Sequence, residues 1–177
     1  MKKTGISILF FITFLIIYFL QVNVFANCKI FGVMPNLFVV LILYIGLFAN
    51  TTYAIAFGLI MGFFLDLLYG KSIGITAIMF CIIGYLGAYF DKNFSKESKL
   101  KIVFMVIGST VIYELGYYLL SGLVIGFDFE WLNFMRIIIF EVIYNVLIII
   151  ILYPLIQKTG YEIDRSFKKN NILTRYF

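Results

Sequence analysis

The sequence predicts an all-α integral membrane protein, a six-helix transmembrane bundle with both termini cytoplasmic. Three observations predict it. The first is composition. Of the 177 residues, 63% are hydrophobic and 13% charged, which is more apolar surface than a soluble domain of this length can hide. The second is segmentation, because apolar runs long enough to form spans alternate with short polar breaks. The third is charge. With the N-terminus inside, eleven Lys and Arg residues fall on the inner side and three on the outer, the positive-inside pattern.

The elements follow in order. Lys2 and Lys3 precede an apolar run that predicts a first span over 5–26. Its end, Val24-Phe25-Ala26, also suits cleavage of a secretory signal. The run is long for such a signal, and retention as a span is the favoured reading; a mature chain starting at Asn27 would overturn it. The stretch from Pro35 to Tyr69 decides the number of spans. Its 35 residues are too many for one helix and slightly few for two, at ~20 residues per span. Asn50-Thr51-Thr52 breaks it, and Pro35 suits a first helical position. Two short spans, 35–50 and 52–69, are therefore expected, helped by tilt, bilayer thinning or shielding by neighbours. Merging them would place the Lys92–Lys101 loop outside and spoil the charge pattern. Three more spans are expected over 73–90, 101–125 and 132–156. The membrane domain then covers 1–157. Residues 158–177, with Lys158, Arg165, Lys168, Lys169 and Arg175, are expected to form a basic juxtamembrane tail attracted to anionic lipid.

Polar residues inside the spans are the candidate functional groups. Gly58, Gly62, Asp66, Gly70 and Gly74 stand four apart in an apolar setting. Small residues at that spacing let another membrane helix approach closely. Gly58 and Gly62, with Ala54 one step earlier, predict a packing face, whereas Gly70 and Gly74 suit a turn that needs positive φ. Asp66 lies near the C-terminal, negative end of its helix. It either caps the free N–H groups that open the fourth span or serves a partner or an ion. Glu114 lies within the fifth span and Glu141 within the sixth, with Tyr144 and Asn145 on the face of Glu141. They read as protonated or tyrosine-bonded groups in a bundle, or as part of a cation pathway.

Other classes are disfavoured. With no His and only Cys28 and Cys81, a His/Cys metal cluster and a disulfide framework are excluded. There is no nucleophile–base pair and no phosphate loop, so no catalysis, cofactor or nucleic-acid partner is expected.

Three blocks resemble the rod shape-determining protein MreD family. Met34-Pro35-Asn36-Leu37 opens the second span. The glycine–aspartate series continues to Gly84-Tyr85-Leu86. Tyr144-Asn145 and Tyr153-Pro154-Leu155 occupy the last span before the basic tail. The family often has Asp after the proline; here it is Asn36, so no charge-dependent role is carried to it. The resemblance implies a non-enzymatic scaffold in the cytoplasmic membrane of a bacterium, part of the elongation machinery. MreC, a single-span protein, is the implied partner, with RodA, the elongation penicillin-binding transpeptidase and MreB further off. It also implies an architecture similar to the S components of energy-coupling-factor transporters. An S component of a vitamin-type transporter is the alternative function, weakened by the missing alanine-x-x-x-alanine pattern in the first span. A cation channel would rest on Asp66, Glu114 and Glu141 alone. The hairpin at 35–69, with Gly58 and Gly62, is the expected partner surface.

Overall fold

Six helices build the computed structural model, which describes residues 3–69, 73–94, 98–126 and 130–173. Helix α1 is Lys3–Leu20 and runs straight into one π-helical turn, Gln21–Phe25. Then come α2 (Leu37–Phe48), α3 (Thr51–Tyr69), α4 (Ile75–Asn93), α5 (Lys99–Ile125) and α6 (Trp131–Leu173). Below, the lower end is the one where α1 begins, and the upper end carries the 26–36 segment.

Among the described residues, five helices are long and apolar enough to cross a membrane; α2, with 12 residues, is not. At 1.5 Å per residue it reaches ~18 Å, against a ~30 Å hydrocarbon core. Local capping fixes its limits. The Asn36 side chain accepts from the Val39 N–H at 3.3 Å, an N-cap. The Asn50 side chain accepts from the Thr52 N–H at 3.1 Å and starts α3. Every α2 residue except Tyr44 is buried. Shielding by neighbouring helices is thus what lets so short a segment sit inside the bundle.

Helix α4 packs against α2 and α3 at backbone contact. A Cβ on Gly46 would lie 2.6 Å from the Gly84 carbonyl oxygen, and one on Gly87 2.9 Å from Gly46 Cα. Only glycine tolerates that approach. Helix α1 joins the core through Ile6, Phe10 and Phe14, which are buried at four-residue spacing. The Phe10 ring meets Phe57 edge-on at 5.8 Å, and Phe14 meets Phe38 at 5.2 Å. The first apolar run therefore packs as a member of the bundle.

Helix α6 departs from the sequence expectation. The last span was expected to stop at 156, yet the helix passes through Pro154 and continues to Leu173. Its 43 residues measure ~65 Å. Beyond the proline, Gly160, Ile163 and Phe167 are buried on one face, the spacing of an amphipathic helix. The Tyr161 ring lies 6.0 Å from Phe48, and Phe167 lies 5.5 Å from Tyr53. Lys158, Glu162 and Arg165 are exposed on the other side. Ile163 and Phe167, beyond the boundary expected at 157, are thus packed against the bundle. Arg175 and the side chains of Lys168 and Lys169 lie outside what the structure describes.

Candidate functional site

The four-residue series on α3 faces α4 in antiparallel register. A Cβ on Gly84 would lie 2.8 Å from the Ala54 carbonyl oxygen. A Cβ on Gly58 would lie 2.6 Å from the Phe80 carbonyl oxygen, and one on Gly62 2.5 Å from Ala77 Cα. The next step is Asp66. Its Oδ2 accepts from the N–H groups of Gly74 at 2.8 Å and Ala77 at 3.2 Å, and its Oδ1 from that of Thr76 at 3.2 Å. These donors open α4 and have no partner inside the helix. Gly74 supplies the turn with φ +100°. Asp66 is thus a cap across the turn, with both oxygens engaged, while Gly70 lies outside the described residues.

The small residues of the series thus pack against the chain's own fourth helix. Ala54, Gly58 and Gly62 are buried against α4, and α2 is buried on nearly all sides. The close approach that small residues permit is used inside the chain, between its own helices. The 35–69 hairpin keeps only the apolar outer side of α3, where Leu59, Ile60 and Phe63 are exposed.

A second polar cluster joins α2, α5 and α6. Asn145 is fully buried. Its Oδ1 accepts from the Asn36 backbone N–H at 2.9 Å, and its Nδ2 donates to Thr110 Oγ1 at 3.0 Å. Gln21 reaches over from the π-helical turn: its Nε2 donates to the Pro35 carbonyl at 2.5 Å, and its Oε1 accepts from the Leu37 N–H at 3.4 Å. Glu114 and Glu141 come together across α5 and α6. The Asn36 side chain lies beside Glu141 and Tyr113. Of the predicted residues, Pro35, Asn36, Asp66 and Glu141 line one cavity of about 330 Å³, together with Gln21 and Tyr113. Exposed Met34 and Tyr69 stand at its upper rim. Glu141 lies ten residues inside α6, roughly 15 Å from its start. Gln21 and Thr110 were not singled out by sequence. A lone amide closing an apolar run was the only available signal for Gln21. Pro154 lies far down α6, away from the cavity.

A larger space of about 730 Å³ opens between α1 and α6, with α2 as its floor. Its lining is almost wholly apolar, and its walls carry residues four apart. On α1 these are Leu9, Thr13 and Ile17; on α6, Tyr144, Ile148, Leu152 and Ile156.

Five long apolar helices and one short buried one define a multi-pass helical membrane protein. Among the described residues, no group of three or more His, Cys, Asp or Glu could hold a metal. The chain belongs to the rod shape-determining protein MreD family, whose sequence model matches residues 1–159. That stretch contains both the polar cavity and nearly all of the apolar groove. No curated protein and no solved structure matches the chain. Membership gives it a role in rod shape determination.

Proposed function

We propose that the protein is a non-enzymatic scaffold of the bacterial elongation complex that binds MreC and supports lateral peptidoglycan synthesis. The observation that carries this reading is the groove between α1 and α6. From Tyr144 to Ile163 its α6 wall runs ~29 Å, about the thickness of the hydrocarbon core. Rows of side chains four apart on both walls form ridges into which a third helix can interdigitate. In lipid, where apolar surface alone gives no drive to associate, such packing is what holds helices together. A single transmembrane helix, as MreC has, fits that shape. RodA, the elongation transpeptidase and MreB are more distant partners in this reading, with lipid around the remaining faces.

The scaffold sits in the cytoplasmic membrane with both termini inside, an orientation supported by the eleven-to-three split of basic residues. The polar cavity at the upper end then faces outward.

Co-expression with MreC tests the reading. Leu9 and Ile151 are exposed on the groove walls, 39% and 73% respectively. Leu9→Trp and Ile151→Trp fill the groove and should cut co-purified MreC about tenfold, the factor that 1.4 kcal/mol of lost packing gives. Leu59→Trp, on the outer side of α3, should leave it unchanged. Wild-type protein that captures no MreC sinks the partner assignment. Full capture by both groove variants sinks the groove.

A further inference from the structure

Glu141 has a chemical feature that helix packing does not use. The residue is 5% exposed, and its Oε1 is buried with no hydrogen bond from the protein. It borders the 330 Å³ cavity. A buried acceptor left unpaired is costly, and the cost is removed when a donor occupies the space beside it.

We propose that this cavity binds a small organic cation, a protonated amine that donates an N–H to Glu141 Oε1. The charge comes from the carboxyl pair. Glu114 adjoins Glu141, and a cation placed beside a carboxyl favours its ionised form. Among the described residues, no Lys or Arg lines the cavity to neutralise it. Asp66 adds a second carboxylate to the wall, but backbone N–H groups occupy both of its oxygens. Glu141 is therefore the anchor.

The walls specify an organic occupant. The cavity falls at the lower end of the ~300–1,000 Å³ range of small-molecule sites and is far larger than a bare ion. Phe80 and Tyr113 lie 5.7 Å apart, and Tyr113 stacks on Tyr117 at 5.9 Å. Such rings accept hydrocarbon and attract an ammonium over their faces. The same walls, with no cluster of metal-holding side chains among the described residues, do not suit a metal ion. The site stands on the cavity's own geometry and does not depend on MreC.

The test uses the full-length protein in lipid nanodiscs. Its unfolding temperature is followed during titration with butylammonium, benzylammonium or tyramine, each beside the alcohol of the same skeleton. At least one amine should raise the unfolding temperature saturably while its alcohol does not. Glu141→Gln keeps the shape and removes the charge, and it should weaken that amine at least about tenfold, equivalent to the loss of one charged hydrogen bond. Should Glu141→Gln fail to fold, the amine–alcohol contrast in the unaltered protein still decides. The proposal is overturned if no amine stabilises, if amines and alcohols act alike, or if Glu141→Gln binds undiminished.

Discussion

At Asp66, three backbone donors from the start of α4 converge on two carboxylate oxygens. Asp66→Ala would strand all three in a buried site. Each unsatisfied donor costs ~1–3 kcal/mol, so a loss of about 3 kcal/mol or more is expected in equilibrium unfolding. Asp66→Asn keeps one acceptor oxygen and should lose about half as much. An Asn variant as unstable as the Ala variant contradicts the cap. This contact was legible in the sequence because its partners lie eight to eleven residues away, across one turn. The Glu114–Glu141 contact was not. Both acids were visible, but nothing showed that they meet. Lipid and core are both apolar, so a membrane span carries little periodicity to reveal which side faces inward. The same blindness hid Thr110, the partner of Asn145.

Among the elements, α3 and α4 form the tightest pair, and their interface sets the second prediction. A Cβ at Gly62 would meet Ala77 backbone atoms at 2.5 Å and 2.7 Å. Those atoms cannot swing aside as the end of a flexible side chain can. Gly62→Ala should therefore destabilise by ~1–3 kcal/mol, the usual cost of overpacking. Gly108 in α5 has nothing within 4 Å of an added Cβ. Gly108→Ala should be neutral or stabilising by up to ~1 kcal/mol, the helix-propensity gain. Unfolding of the two variants side by side checks both signs, and equal effects contradict the zipper. The small-residue spacing on α3 was legible, as was the break at Asn50 that separates α2 from α3. What the spacing could not show was its partner, which is the chain's own α4. The length of α6 was also missed. Proline ends many helices, but inside a bundle neighbours can accommodate the freed backbone group, and here the helix carries on to bury Ile163 and Phe167.

For the molecule as a whole, composition and charge were enough to indicate a multi-pass helical bundle, because lipid admits only helices and closed barrels and the continuous apolar runs have the length of helical spans. The surfaces it offers were not legible. Small residues pointed to a partner at α3, whereas the folded chain uses them internally and leaves α1 and α6 parted around an apolar groove. Burial makes the distinction: Gly58 and Gly62 are covered, while Ile151 is 73% exposed. The central claim is that this groove receives a single helix of MreC. Site-specific photocrosslinking in cells tests it most directly, with a photoreactive residue placed at Ile151 in the groove or at Leu59 on the outer side of α3. The account predicts a crosslink to MreC from position 151 and none from position 59. A crosslink from 59 with none from 151 would contradict it.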